Sequence, residues 1–350
     1  MPQSFDSLRA LAAHGFDTVI DVRSPAEFAE DHVPGAINLP ALTDAQRAEV
    51  GTIYVQDSPF KARKLGAAMV ARNVADHVDG PLNHHDGSWR PLVYCWRGGQ
   101  RSGSVATILS QIGWRADTLK GGYQSYRKLV HHALYIDPLP HRLVLLDGYT
   151  GTAKTAILHL LAERGVQVLD LEGLAAHRGS LLGAVAEDQP EQKGFESQLA
   201  QRLLALDPAR PTLVEAESSK IGRIVLPKQL WSVMKDAPRI EVTAPVAARA
   251  EFLTDAYSDI IADPAALRAR LQPLRHLRGH ATVERWEGLI GAGDFRALAT
   301  DLMVEHYDPA YARSRKADSR EWLAAVEADR LDADGRARAA DEIARVLGTL

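Results

Sequence analysis

The stretch PLVYCWRGGQRSGSVATILSQIG, Pro91 to Gly113, starts as an apolar run, breaks at a glycine pair flanked by arginines, and continues into a segment of helical periodicity that ends on glycine. A short apolar run bounded by turn residues reads as a buried strand, and the apolar spacing after Ser102 reads as an amphipathic helix closed by Gly113. Strand, loop and helix in that order are the unit of a parallel α/β sheet. Within the loop lies Cys95, the only cysteine of 350 residues. A thiol attacks as thiolate, so a reactive cysteine needs a lowered pKa. The amino terminus of a helix favours an anion through its free N–H groups and its dipole. Gly98 and Gly99 let successive N–H groups curl around one point, and Arg97 and Arg101 add positive charge. Cys95 is therefore expected to be catalytic, with Trp96, Arg97, Gly98, Gly99, Gln100, Arg101 and Ser102 as its anion-binding loop. The bland alternative is a buried structural thiol at a strand end.

Outward from this loop, the length suits two domains, each able to bury a core. DTVIDV (Asp17 to Val22) is a second strand of the first half. HALYIDPLPHR (His132 to Arg142) carries two prolines ahead of a new apolar run and marks a linker, which places the domains at 1–135 and 141–350. In the second half RLVLLDG, VQVLDLEG, PTLVEAE and RIEVTA alternate with helix-length segments, which predicts a second mainly parallel sheet. From about Asp294 the chain reads as a charged helical tail. Apolar residues make up 46% and charged residues 25%, and the net charge of -4 gives no global basic field, so any nucleic-acid contact must be a local patch. One cysteine excludes an internal disulfide. MPQSFDSLRA lacks the layout of a secretory signal, and no apolar run approaches the roughly 20 residues that span a bilayer. A cytoplasmic protein with no membrane partner is expected.

LVLLDGYTGTAKTAILHLLAERG (Leu143 to Gly165) repeats the strand, glycine loop, helix plan. Its GYTGTAKT segment, Gly148, Tyr149, Thr150, Gly151, Thr152, Ala153, Lys154 and Thr155, matches the P-loop pattern except that Ala153 stands at the second fixed glycine. Loop N–H groups and the helix terminus would hold phosphate oxygens, Lys154 would add charge, and Thr155 could hold magnesium. The methyl group of Ala153 argues against standard nucleotide hydrolysis. Strand-end acids, Asp170 and Glu172 in VLDLEG and Glu215 and Glu217 in LVEAE, with Asp170 and Glu215 placed first, are candidates to assist magnesium or orient a phosphate; solvated loop acids are the competing reading. LRARLQPLRHLRGHATVER (Leu267 to Arg285) concentrates arginine, and Arg275 and Arg278 are candidate RNA contacts. Alternatively it is a solvated helix face over a stripe of Leu267, Leu271, Leu274 and Leu277.

The first half resembles the rhodanese family, through DVRSPAEFAEDHVPGAINLP (Asp21 to Pro40), the cysteine loop and LKGGYQSYRK (Leu119 to Lys128). Single rhodanese domains usually place four residues between cysteine and arginine, whereas five intervene here, Trp96 to Gln100. The longer loop suits a larger, phosphate-like oxyanion. It also fits a rhodanese-like cysteine phosphatase, which would need Asp21 or Glu27 as general acid. The two halves together, with DLEGLAAHRGS (Asp170 to Ser180) and HYDPAY (His306 to Tyr311), resemble the tRNA 2-selenouridine synthase family over nearly the whole chain. That resemblance implies a rhodanese-like parallel-sheet domain followed by a P-loop NTPase-like α/β domain with a helical C-terminal tail. It implies conversion of wobble 2-thiouridine in tRNA to 2-selenouridine through S-geranyl-2-thiouridine, with geranyl diphosphate and selenophosphate as co-substrates. No tightly bound cofactor and no certain metal site are implied, with Mg2+ as an assistant to the diphosphate. Cys95 would handle selenium through a selenosulfide, Arg97 and Arg101 would hold selenophosphate, and 148–155 would hold the diphosphate. The alternative is a rhodanese-type sulfurtransferase fused to an NTP-binding module, without an RNA substrate.

Overall fold

In the computed structural model, which describes residues 1–180, 182–183, 188–316 (backbone alone for 314–316) and 321–350, Cys95 follows the middle strand of a five-stranded sheet. The strands are β1 (Pro2–Gln3), β2 (Thr18–Asp21), β3 (Ile37–Asn38), β4 (Pro91–Tyr94) and β5 (Asp117–Leu119), all paired in parallel in the order β1-β5-β4-β2-β3. A parallel sheet covered by helices needs apolar residues on both faces, and Leu92, Val93, Ile20 and Val19 are all buried. The helix Pro59–Asp79 packs Val70 and Val74 against Ile20, Val93 and Leu109. The predicted helix after the cysteine loop spans Gln100–Ile112 and ends, as its sequence implies, at Gly113 in the left-handed conformation.

The second sheet contains β6 (Arg142–Asp147), β7 (Gln167–Leu169), β8 (Pro211–Glu215), β11 (Arg239–Thr243) and β12 (Trp322–Glu327), again parallel throughout, in the order β12-β11-β6-β8-β7. A two-stranded antiparallel ribbon, β9 (Lys220–Ile221) and β10 (Ile224–Val225), stands apart from it. Helices Lys154–Glu163 and Ala333–Leu347 share one core through Ile157, Leu161, Ala340 and Ile343. Between β11 and β12 the chain forms a helical insertion, 246–316, around Leu267, Leu271, Trp286, Ile290 and Leu298.

Three features differ from the sequence reading. The tail after Asp294 is not wholly helical: β12 pairs with β11 at the sheet edge, where five of its six residues escape full burial and its alanines carry no strand signal. Residues 190–205 lie within the second half of the sequence but group with the first compact unit, 1–138, while 139–189 and 206–350 form the other. The helix Gln192–Ala205 buries Phe195 and Leu199, and its Glu196 accepts from Arg127 Nη2 at 2.5 Å and from Tyr135 Oη at 2.8 Å. Finally, Leu267, Leu271 and Leu274 are buried as the stripe requires, but Leu277 is exposed because the helix breaks into short turns before Gly279.

Candidate functional site

Around Cys95 the main chain converges on sulfur. The Gly99 N–H donates to Sγ at 3.3 Å and the Ser102 hydroxyl lies 3.2 Å from it, within the first turn of the helix that follows. Burial of Cys95 pushes the thiol up, but the Ser102 side chain and the N–H groups of Ser102, Gly99 and Arg97 outweigh it, and the net shift is below the ordinary thiol value. Gly98 adopts φ +66° and is pressed against the neighbouring segment, where a Cβ would stand 2.7 Å from the Leu119 carbonyl. Gly122, at φ +59°, leaves no room for a Cβ beside the Cys95 carbonyl, which accepts the Tyr123 N–H at 2.8 Å. The segment LKGGYQSYR thus clamps the loop from below, and Trp96 lies 5.3 Å from the Tyr123 ring. Arg97 is exposed at the loop mouth, while Arg101 Nη1 donates to Glu27 Oε2 at 3.0 Å.

Both candidates for the general acid of a phosphatase are already engaged. Asp21 is wholly buried and holds Arg23, whose Nη2 lies 2.6 Å from Asp21 Oδ2 and whose guanidinium lies 3.9 Å from the Tyr123 ring centre. Burial pushes the Glu27 carboxyl up, but Arg101, the Ser24 N–H and Arg47 bring it below the usual range, so it is ionised at neutral pH and holds no proton to donate.

Replacing Ser102 by alanine removes one donor to sulfur. A hydrogen bond to a charged group contributes on the order of 1.5 kcal/mol, so the thiol pKa should rise by about one unit. The thiolate exists above that pKa, so any thiolate-dependent rate will move its acid limb to higher pH. An unmoved pH profile in Ser102→Ala would remove Ser102 from the cradle.

The second loop is held as firmly. Asp147 at the end of β6 accepts the Gly148 N–H at 2.7 Å and Arg239 Nη1 at 2.7 Å, pinning the loop to β11. Arg249 donates twice to the Thr150 carbonyl, at 2.9 and 2.7 Å, and is anchored by Asp308. Ala153 has φ 61° and ψ 27°, the left-handed region in which glycine is at ease and alanine is strained. Ala153 thus keeps the backbone shape of the motif. Ala153→Gly should relieve about 1 kcal/mol of strain, partly offset by the added freedom of the unfolded chain. Denaturant unfolding checks this; a loss of more than about 1 kcal/mol would show that the methyl packs better than its backbone suffers.

Loop residues Thr150 to Thr155 line a pocket of about 390 Å³ with Glu172, Arg178, Glu217, Tyr257 and Tyr311. Lys154 Nζ reaches the Gly148 carbonyl at 2.9 Å. Burial would discharge this amine, but Tyr311, Glu217, Glu172 and Asp147 hold its pKa above the ordinary lysine value. Thr155 Oγ1 donates to Glu172 Oε2 at 2.9 Å. Glu217 is pushed up to about 8, first by burial and then by Glu172, so it holds a proton at neutral pH.

The geometry separates the four strand-end acids. Asp170 caps the short helix Leu171–Leu174 through the Gly173 N–H and binds His159, and Glu215 is buried beneath the Leu171 N–H at 3.1 Å. Neither lines the pocket; Glu172 and Glu217, two residues further along each segment, do. Among the described residues no cluster of three or more His, Cys, Asp or Glu could hold a metal ion. The basic segment is likewise committed within the fold: Arg275 pairs with Glu287 at 3.2 Å, and Arg278 donates to His306 Nδ1 and to its carbonyl, both at 3.0 Å. No helix among the described residues is long and apolar enough to cross a membrane.

A parallel sheet that ends one strand in a thiol-centred anion loop, followed by a sheet that ends one strand in a P-loop-like turn, defines a rhodanese-like domain joined to a P-loop-like domain. Models of two families match accordingly: the rhodanese-like domain over residues 4–129, and the tRNA 2-selenouridine synthase AAA domain over 141–272. Relatives called tRNA 2-selenouridine synthase include those of Nitrosomonas europaea (35% identical, covering 68% of this chain and 63% of the relative), Sulfurovum sp. (36%, 73% and 70%) and Pseudomonas syringae pv. tomato (32%, 85% and 88%). The chain belongs to the tRNA 2-selenouridine synthase family.

Proposed function

We propose that this protein replaces the sulfur of wobble 2-thiouridine in tRNA by selenium in two steps, geranyl transfer and selenium delivery. In the first, the 2-thio sulfur attacks C1 of geranyl diphosphate; a C–S bond forms, the C–O bond breaks, and diphosphate leaves with its electrons. Lys154 and the N–H groups of 148–155 receive that charge. Thr155 and Glu172 offer hard oxygen donors that fit a magnesium ion arriving with the diphosphate.

In the second step selenium displaces the geranylated sulfur at C2, a better leaving group than the free sulfur. The observation that carries the reading is the position of Cys95, its thiol pKa lowered by the Ser102 hydroxyl and by N–H groups of the loop that surrounds it. Selenium in selenophosphate is already at the selenide level, so loading it onto Cys95 as a selenosulfide would need an oxidant that neither co-substrate supplies. Attack of the thiolate on phosphorus balances instead. The S–P bond forms, the P–Se bond breaks, and selenide leaves with the electron pair to attack C2 and expel geranyl thiolate; water then frees phosphate from sulfur. Arg97 and the loop N–H groups hold the phosphoryl oxygens.

Nucleoside mass spectrometry of thiouridine-containing tRNA tests the sequence of steps. S-geranyl-2-thiouridine is expected with geranyl diphosphate alone, and 2-selenouridine when selenophosphate is added. Selenouridine formed without geranyl diphosphate would remove the first step, and thiosulfate turnover with no action on tRNA would favour a sulfurtransferase with an NTP-binding module.

A further inference from the structure

Next to the phosphate-loop pocket lies a second, narrower cavity of about 60 Å³, inside the helical insertion. Leu253, Ile260, Leu267, Phe295, Leu298 and Leu302 form much of its wall. The two cavities share Thr150, Ser180, Leu253, Tyr257 and Tyr307, so the narrow one begins where the phosphate loop ends. Several of its polar groups are engaged: the Thr254 hydroxyl donates to the Ala250 carbonyl at 2.8 Å, the Thr150 carbonyl accepts Arg249, and the Ser180 and Tyr257 hydroxyls meet at 3.3 Å. A nucleobase would find few partners for its edge between these mostly apolar walls, and burying unpaired polar atoms is costly. A thin hydrocarbon would leave nothing unsatisfied.

We infer that this slot takes the far end of the hydrocarbon tail of a diphosphate ester whose head sits on 148–155, the nearer carbons lying in the larger pocket and crossing the rim at Tyr257 and Tyr307, because about 60 Å³ is too small for all ten carbons. The inference rests on reading that loop as a diphosphate site. The helical insertion then selects the substrate, favouring a slender branched chain over a nucleoside.

Calorimetric titration of the full chain with inorganic diphosphate, dimethylallyl diphosphate and geranyl diphosphate separates the two claims. Burying a ten-carbon tail should make geranyl diphosphate at least ~10-fold tighter than inorganic diphosphate. Ala299→Phe, which fills the slot from the helix Phe295–Leu302, should erase that advantage while leaving inorganic and dimethylallyl diphosphate bound as before. Equal affinity of the unaltered protein for geranyl and inorganic diphosphate, or an undiminished advantage in Ala299→Phe, would overturn the slot and leave the loop standing. Binding of neither ligand by the unaltered protein would overturn the loop itself. If Ala299→Phe loses every ligand, Phe295→Ala decides: the enlarged slot should shift preference from geranyl towards farnesyl diphosphate, and an unchanged preference would refute it.

Discussion

Cys95→Ser should lower selenium incorporation at least about 10³-fold while S-geranyl-2-thiouridine still forms and accumulates. Serine is close to cysteine in size, so the buried end of β4 keeps its packing, and the Gly99 and Ser102 donors keep a polar partner. What changes is ionisation: a hydroxyl in the same cradle stays protonated at neutral pH, and the nucleophile is lost. In the proposed scheme geranyl transfer calls on a different loop, the one after β6, and needs no thiol. Loss of both products together would show that Cys95 serves both steps, and undiminished selenouridine would remove it from the chemistry.

Lys154→Ala is the mirror experiment. Lys154 is the cation of the loop after β6, and its surroundings hold its pKa above the ordinary lysine value. Removing one charge-stabilising donor from such a site typically costs about 10²-fold in rate, and the loss should appear in geranyl transfer. Supplied with tRNA that already carries S-geranyl-2-thiouridine, the same variant should deliver selenium at the normal rate. Normal geranyl transfer would take the loop out of the mechanism; a failure on geranylated tRNA would mean that the loop also acts in the second step.

Both loops were legible because each is local. Strand, turn glycines and helix follow one another within about twenty residues, and Gly98, Gly151 and Gly113 mark where the backbone turns left-handed. Ala153 was visible as a departure, but only the structure shows that alanine takes up the glycine conformation and keeps the loop in shape. What escaped the sequence depends on distant partners. Asp170 and Glu215 stood at strand ends like their neighbours, and only the fold turns them to a helix cap and to the Leu171 N–H, leaving Glu172 and Glu217 in the pocket. Arg275 and Arg278 read as free charge because Glu287 and His306 lie far along the chain. The helix Gln192–Ala205 carries no mark of its departure to the first unit, since Glu196 looks solvated until Arg127 and Tyr135 close on it. β12 was hidden by WLAAVE, whose alanines favour a helix and whose strand exists through pairing with β11.

Because Cys95 is the only cysteine, its ionisation can be read directly from the pH dependence of thiolate ultraviolet absorbance, taken as the difference between the protein and Cys95→Ser. The donors around sulfur predict a single inflection below the ordinary thiol value near 8.5, with thiolate lost as pH falls through it. An inflection at or above that value would show that burial outweighs the converging N–H groups, and would contradict a thiolate poised for attack.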